Sequence, residues 1–235
     1  MLNNNSNIAH IFKGRSSISK ILKNNVVVWR QRLLPVGYTQ LEYIQTDGKA
    51  YIDTGIVIPV EAKEKQKYKF EYRGVMDSHP VVSTYAVDGV GGGKTGFYVG
   101  IFRDGRFGYF GANDLSIGDI ITTANEPHIF TIDYVNGNAY FDGTLMVSSV
   151  VPRKGIDVQT LGVFCYNSNR KGNSIHTGAK RYWVKLWKDG NSILNLIPAM
   201  RNSDGVLGMY DTVSQQFFTN AGTGTFIAGE VIDIV

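Results

Sequence analysis

Two tryptophans in the stretch RYWVKLW have the spacing of an aromatic pair on one side of a β-strand. Successive side chains of a strand point to opposite faces, so Trp183 and Trp187 share a face with Lys185. The opposite face is expected to point into the core and carries Tyr182, Val184 and Leu186. An exposed aromatic pair can stack on the C–H faces of sugar rings or cover a protein interface. Packing of both tryptophans beneath the N-terminal arm or a long loop is the third interpretation, and the residue types leave all three open.

A long polar segment, YNSNRKGNSIHTG, precedes this strand and is expected to form a surface loop. Four of its residues carry ring, amide or guanidinium groups that suit a hydroxyl-rich ligand: Tyr166, Asn167, Asn169 and Arg170. The same groups are ordinary in any exposed turn. Together with the two tryptophans, they are the candidate ligand-binding residues.

The acidic residues lack the arrangement that glycoside hydrolysis needs. That reaction uses two carboxyl groups, one to donate a proton and the other to attack the sugar or activate water. No Glu-x-Asp or Glu-x-Glu pair lies inside an apolar strand. Asp133 stands alone in FTIDY, and Glu61 and Glu64 belong to the charged, solvated stretch EAKEKQK. The chain is therefore predicted not to be an enzyme, and no catalytic residue is assigned.

No cofactor is predicted. The stretch DGVGGGKT lacks the first glycine of a phosphate-binding loop, since Asp88 stands there, and a strand rather than a helix follows it. The single cysteine, Cys165, shares a strand face with Leu161 and Val163 and is expected to be a buried, inert thiol. No His or Cys spacing suggests zinc. A structural calcium ion stays unassigned, because the acids that could supply oxygen ligands form no compact loop: Asp88, Asp104, Asp114 and Asp119.

Positive charge is concentrated at the N-terminus. Residues 1–32 contain six basic and no acidic residues, whereas the rest of the chain contains 18 basic and 20 acidic residues. In this arm IAHIFKGRSS and ISKILKNNVV repeat, each expected to be a short strand closed by a turn, and NNVVVW is expected to add a third strand. Such strands bury too little to be stable alone, so the arm is expected to dock on a partner protein or on copies of itself. A β-meander packed on the main domain is the alternative. The candidate anchoring residues are Lys13, Arg15, Lys20, Lys23, Trp29 and Arg30.

Strand and turn signals dominate residues 33–235. HIFTIDYVNGNAYFDGTLMV is expected to be a three-strand meander that turns at Asn136-Gly137 and Asp142-Gly143. The stretch from Ala179 is expected to be a hairpin that turns at Asp189-Gly190 and stops at Pro198. No 18-residue apolar run is present, so no membrane insertion is expected, and the opening MLNNNSN lacks the order of a secretory signal. The predicted fold is an all-β, two-sheet antiparallel sandwich (33–235) preceded by a short β-stranded arm (1–32).

Two stretches of the chain carry a resemblance to a known family. LPVGYTQLEYIQTDGKAYIDTGI and LIPAMRNSDGVLGMYDTVSQQFFTNAGTGTFIAG resemble modules of bacteriophage and gut-bacterial surface proteins. Those modules look like concanavalin A-like, or laminin G-like, jelly-roll domains. The resemblance covers about residues 33–229, and the arm is similar to short repeats that precede such domains in phage structural proteins.

The resemblance implies a non-enzymatic virion protein, made in the bacterial host cytoplasm, such as a capsid decoration, a head fibre or a tail fibre component. Its arm would anchor it to other virion proteins, and its lectin-like jelly roll would meet a host glycan or neighbouring subunits. A homo-oligomer, for example a trimer, is expected by analogy, and nucleic acid is not an expected partner. The alternatives are a bacterial surface carbohydrate-binding protein and, less favoured, a jelly-roll glycoside hydrolase. The family supplies no shared catalytic residues, and the fold alone does not establish sugar binding.

Overall fold

The regular structure of the described residues is entirely β. The computed structural model describes residues 20–23, 26–30, 33–58, 67–75, 82–84, 86–87, 94–95, 99–101, 106–111, 114–120, 126–148, 150, 159–168, 171–173 and 177–232. Side-chain surroundings are described for 33–57, 67–75, 126–148, 150, 160–165 and 178–232.

The strands in chain order are β1 (Lys20–Lys23), β2 (Val26–Arg30), β3 (Tyr38–Gln40), β4 (Ile44–Asp47), β5 (Ile52–Ile58), β6 (Tyr68–Val75), β7 (Val82–Thr84), β8 (Ala86–Val87), β9 (Lys94–Thr95), β10 (Val99–Ile101), β11 (Arg106–Gly111), β12 (Asp114–Ile120), β13 (His128–Asp133), β14 (Asn138–Phe141), β15 (Thr144–Ser148), β16 (Gln159–Val163), β17 (Tyr166–Ser168), β18 (Lys171–Asn173), β19 (Thr177–Lys188), β20 (Asn191–Arg201), β21 (Leu207–Asp211), β22 (Gln216–Thr219) and β23 (Phe226–Ala228).

Two sheets form the sandwich that the sequence predicts. The main sheet runs in the order β15-β14-β13-β6-β19-β20-β21-β22, with β3, β4 and β23 paired at its side, and its pairs are antiparallel. The second sheet runs in the order β18-β17-β7-β16-β5. Its pairs are antiparallel apart from β17 with β7, which is parallel. Strands β10 to β12 form a further three-stranded sheet, and β8 pairs with β9.

The core lies between the main and second sheets. Phe70, Tyr72 and Val184 of the main sheet are buried in one cluster with Ile52 and Leu161 of the second sheet. These strands alternate apolar and polar side chains because one face of each sheet is buried. A smaller apolar cluster covers part of the opposite, outer face of the main sheet. Its buried members are Leu34, Ile197, Ala199 and Tyr210, with Tyr38 and Phe217 packed against them.

The predicted hairpins are confirmed, with one error. Asp142 and Gly143 both have positive φ, as do Asp189 and Gly190, which is the geometry of a tight two-residue hairpin turn. The prediction that Pro198 ends its strand is wrong, because β20 continues to Arg201. On one side of β20 the partner changes at Pro198 from β19 to β3, so the missing N–H interrupts no ladder bond there. The Pro198 carbonyl accepts a hydrogen bond from the Leu41 N–H (3.0 Å).

The described part of the N-terminal arm is a hairpin in a sheet of its own. β1 and β2 pair antiparallel, with Lys20 opposite Arg30 and Ile21 opposite Trp29. This agrees with the strands expected in ISKILKNNVVVW. The first repeat unit, with Lys13 and Arg15, lies outside the described residues.

Candidate functional site

The exposed part of the outer face is centred on β6 and β19. Their register places Trp183 opposite Arg73, Lys185 opposite Glu71 and Trp187 opposite Lys69. All six side chains are partly exposed, and we call this group the tryptophan surface. It lies beside the part of the outer face that Leu34 and its neighbours cover.

A β-bulge decides which side chains reach this surface. The pairing of β19 with β6 shifts between Arg181 and Trp183, which leaves Tyr182 as an extra residue. Arg181 therefore points into the core, while Trp183, two residues later, points outward. The prediction that Tyr182 belongs to the core face is wrong, because the extra residue removes Tyr182 from the alternation; Val184 and Leu186 are buried as expected.

Arg181 occupies the core position that was expected for Tyr182. Its guanidinium carbon lies 4.7 Å from the ring centre of Tyr72 and 5.1 Å from that of Phe164. One guanidinium nitrogen, Nη1, donates a hydrogen bond to the Lys180 carbonyl (2.9 Å). Burial lowers the pKa of Arg181 and raises the pKa of Tyr72. The stacked rings provide the favourable contact that a buried cation requires.

Cations lie over the two tryptophan rings of this surface and over the neighbouring ring of Tyr182. The Lys185 ammonium is 4.3 Å from the ring centre of Trp183, and the Lys69 ammonium is 5.1 Å from that of Trp187. The Arg73 guanidinium carbon is 4.8 Å from the ring centre of Tyr182. Such cation–π contacts hold long, flexible side chains against the aromatic rings. The surface is therefore both aromatic and basic.

The two carboxylates next to these cations already accept hydrogen bonds. Glu71 Oε2 lies 3.7 Å from the Lys69 ammonium and accepts a bond from the Thr131 hydroxyl (3.1 Å). Asp133 Oδ1 accepts the N–H groups of Val135 (3.0 Å) and Asn136 (3.1 Å), and its Oδ2 accepts the Asn136 side-chain amide (2.8 Å). Asp133 thus shapes the loop that leads from β13 to β14.

A cleft of about 380 Å³ opens at the Trp187 end of the surface. Its lining residues are Lys67, Lys69, Asp133, Val135, Asn136, Trp187 and Gly190. An aromatic ring, an amide and two lysines thus meet in one concave place. Concave sites with an apolar wall and a few polar groups are the usual form of small-ligand sites.

The candidate ligand-binding residues do not all belong to one sheet. Trp183 and Trp187 lie on β19 of the main sheet, whereas Tyr166 and Asn167 lie on β17 of the second sheet, opposite Asn173 and Gly172. The expected loop is therefore wrong at these residues, because β17 and β18 pair with each other. Asn169 and Arg170 lie outside the described residues. Lys69 and Arg73 were not predicted to be neighbours of the tryptophans. The alternation in KYKFEYR does place both on an outward face, but their pairing with β19 joins segments more than 100 residues apart.

Outside the tryptophan surface, the described residues offer few side chains that could react or bind a metal ion. Cys165 is fully buried, and burial raises the pKa of its thiol, which agrees with an inert role. Within the described ranges, no three His, Cys, Asp or Glu side chains cluster as a metal site would require. Of the acids considered for calcium, Asp114 and Asp119 lie on β12, while Asp88 and Asp104 fall outside the described residues. In the part of the chain that is described, no helix is long and apolar enough to cross a membrane.

One His–Asp pair was not anticipated from the sequence. His128 Nδ1 lies 2.6 Å from Asp142 Oδ2, and the imidazole stacks on Phe141 with ring centres 4.7 Å apart. Asp142 Oδ1 also accepts the Ile129 N–H (2.8 Å). These contacts tie the end of β14 to the start of β13, which is a structural role.

The comparisons with known proteins give weak likenesses. No family model matches the chain, and no curated protein matches it. The structure is similar to that of a candidate carbohydrate-binding protein from Bacteroides ovatus (TM-score 0.45, 13% identity), with 83% of this chain and 62% of that chain covered. It is also similar to the Trypanosoma rangeli sialidase in complex with 2,3-difluorosialic acid (TM-score 0.39, 13% identity), with 75% of this chain and 34% of that chain covered. This chain therefore spans less than two thirds of either neighbour. At these TM-scores neither likeness bears on what the chain binds, and neither neighbour is described as a virion protein.

Proposed function

We propose that this chain is a non-enzymatic carbohydrate-binding β-sandwich whose ligand lies on the tryptophan surface and enters the adjoining cleft. The observation that carries the proposal is the cleft itself, where the Trp187 ring, the Asn136 amide and Lys69 meet. A pyranose ring has an apolar C–H face and polar hydroxyl edges. The indole ring suits the first, and amide and ammonium groups suit the second.

Rigid placement of these groups favours binding. Trp187 lies near the end of the twelve-residue strand β19, where it is paired on both sides, and Asn136 is held by Asp133. A site whose side chains are already ordered loses less conformational entropy when a ligand binds. The wall of the cleft thus needs little rearrangement to accept a sugar.

The absence of catalysis is part of the proposal. Glu71 and Asp133 are the two carboxylates of the tryptophan surface and its cleft, and they lie on the neighbouring strands β6 and β13. Both oxygens of Asp133 accept hydrogen bonds from its own loop, and Glu71 is engaged by Lys69 and Thr131. A general acid must keep a proton to deliver to the leaving group. A carboxyl group whose oxygens already accept hydrogen bonds from neighbouring donors is poorly placed for that task.

The test is a glycan array followed by titration of a bound glycan, with the Trp187→Leu variant as the probe. Phe217→Leu is the matched control, because Phe217 is also a partly exposed ring beneath a cation on the same sheet, with the Arg201 guanidinium carbon 5.6 Å from its centre. Loss of stacking at Trp187 is expected to weaken binding about tenfold or more, by analogy with the 1–3 kcal/mol of base–aromatic stacking. The control should bind as the wild type does. Binding to no glycan on the array, or equal loss in both variants, would contradict the proposal.

A virion role is the second candidate function, with the β1–β2 hairpin as its support. The hairpin forms its own sheet, and its two short strands contain Lys20, Lys23, Trp29 and Arg30. As proposed, this hairpin anchors the chain to another virion protein, and the sandwich presents its sugar-binding surface to a host. Removing residues 1–32 should then abolish incorporation into particles. Incorporation of the truncated chain would contradict the anchor.

A further inference from the structure

Two of the three cations of the tryptophan surface, Lys185 and Arg73, are not paired with any described carboxylate, whereas Lys69 lies near Glu71. Among the described residues, neither Lys185 nor Arg73 forms an ion pair within 4 Å. Each instead lies over an aromatic ring, Trp183 and Tyr182 respectively. A cation over a ring keeps several N–H donors directed away from the ring. These two groups are therefore available to a ligand.

The acidic side chains of the surface do not offset this. Glu71 lies directly opposite Lys185 across the strand pair, but its contacts are with Lys69 and Thr131. Asp133 directs its two oxygens into its own loop. Both carboxylates are thus engaged by neighbouring groups of the sheet, whereas Lys185 and Arg73 are left to interact with a ligand.

Resting on the proposed function, we infer that the ligand of the tryptophan surface is an anionic glycan, with carboxylate, sulfate or phosphate groups that meet Lys185 and Arg73. The sugar rings stack on Trp183 and Trp187, and the anionic groups lie where the cations reach beyond the rings. A charged group on the ligand forms stronger hydrogen bonds with ammonium and guanidinium donors than a hydroxyl does. Exposed charges attract each other less as salt rises, so this binding weakens with ionic strength.

The experiment uses pairs of polymers, one with anionic groups and the other without them. Polygalacturonate is compared with its methyl ester, dextran sulfate with dextran, and phosphomannan with mannan, each by calorimetric titration at low and at physiological salt. We expect at least one charged polymer to bind about tenfold more tightly than its neutral partner, with the preference reduced at higher salt. The pair that shows the preference identifies the anionic group.

Three lysine variants then locate the contact. Lys185→Gln should weaken binding of the preferred charged polymer about three- to tenfold, and Lys185→Arg should retain it. Lys188→Gln removes the same charge from the same strand, but Lys188 lies over Tyr68, whose ring is buried in the core, so this variant should bind normally.

The outcomes separate this inference from the proposed function. Equal binding of charged and neutral polymers, lost in Trp187→Leu, would overturn the anionic ligand and leave sugar binding intact. Tighter binding of a single-stranded oligonucleotide than of any charged polymer would overturn it in favour of nucleic acid. Equal weakening by Lys185→Gln and Lys188→Gln would show a non-specific charge effect and overturn the assigned contact. Binding of neither these polymers nor any arrayed glycan would overturn the proposed function itself.

Discussion

At Gly74 two strand backbones approach too closely for any side chain. Gly74 lies opposite Arg181 in the β6–β19 pair, next to the bulge. A Cβ atom placed there would be 2.6 Å from the Lys180 carbonyl oxygen and 2.8 Å from Arg181 Nη1. The carbonyl belongs to the backbone and cannot turn away. The glycine therefore permits both the bulge and the burial of Arg181.

Gly74→Ala should lower the free energy of unfolding by about 1–3 kcal/mol, because an added methyl in a packed place forces the backbone to shift. Urea unfolding followed by fluorescence measures the change. Gly143→Asn is the control, since Gly143 has open space around it and a φ of +79° that asparagine tolerates better than other residues. A loss at Gly74 no larger than at Gly143 would contradict the close approach.

Asp47 joins the first strands of the sandwich to the C-terminal loop. Its Oδ1 accepts the N–H groups of Lys49 (2.8 Å) and Ala50 (3.0 Å), and its Oδ2 accepts the Thr225 N–H (2.7 Å). The bond from Thr225, followed by that from Lys49, lowers the pKa of this carboxyl below its ordinary value of 3.8. Gly224 packs against the same carboxylate, where a larger residue would not fit. The Gly-Thr ending thus has the fold-maintaining role expected of it.

Asp47→Asn should cost about 1 kcal/mol of stability at pH 7, since an amide offers one acceptor oxygen instead of two. The folded-state pKa lies below the unfolded value of 3.8, so the stabilisation by the carboxylate is complete above the unfolded pKa and is lost as pH falls through the lowered folded pKa. The difference between the wild type and the variant should therefore shrink below about pH 4 in urea titrations at several pH values. Asp53→Asn is the control, because Asp53 accepts the Gly55 N–H with one oxygen, which the amide retains. A difference that stays constant down to pH 2 would contradict this role.

Strand β19 contributes one face to the core and the other face to the tryptophan surface. Leu186 is fully buried and Trp187, its neighbour, is partly exposed over the cleft. Leu186→Ala should lower the free energy of unfolding by about 2–5 kcal/mol, because it leaves a cavity in the core. Trp187→Ala should cost much less stability while it weakens glycan binding. Chemical unfolding of both variants, beside the glycan titration, checks the division; similar losses of stability would contradict it.

Local patterns in the sequence predict the strands and turns better than they predict which strands pair. Asp142-Gly143 and Asp189-Gly190 indicate their turns because the backbone of a two-residue hairpin demands those residues. Alternation places Trp183 and Trp187 on one face, but it cannot show the bulge at Tyr182, which depends on where β6 pairs. The cations of the surface were missed for the same reason: Lys69 and Arg73 meet the tryptophans only through long-range register. The prediction that Pro198 ends its strand was wrong because a proline is tolerated where a strand changes its pairing partner.

The reactivity of the Cys165 thiol shows whether the two-sheet sandwich is folded. Its thiol is fully buried next to the second sheet, and burial raises its pKa, so little thiolate is present to react. The native protein should resist labelling by a thiol reagent and label completely in urea. The labelling midpoint should coincide with the fluorescence midpoint if the two sheets unfold together. Rapid labelling of the native protein would contradict a closed core.

The arm and the sandwich give the last prediction, which also bears on the tryptophans. The body has its own apolar clusters, which include Leu34 and Leu41, and in the described part of the chain the β1–β2 sheet pairs with no strand of the body. A chain of residues 33–235 should therefore melt within about 3 °C of the full-length protein, a shift that corresponds to about 1 kcal/mol or less for a protein of this size.

Trp29→Phe in the full-length protein is the reference for fluorescence, since it leaves Trp183 and Trp187 as the emitting residues, as the truncation does. Equal emission from the two proteins means that the arm does not cover the tryptophan surface, which is then open to a ligand. A red shift on truncation, together with a melting temperature lower by about 10 °C, would instead show the arm packed on the sheet as a meander. In that case the tryptophans are part of an internal interface, and both the anchor and the sugar-binding surface would have to be abandoned.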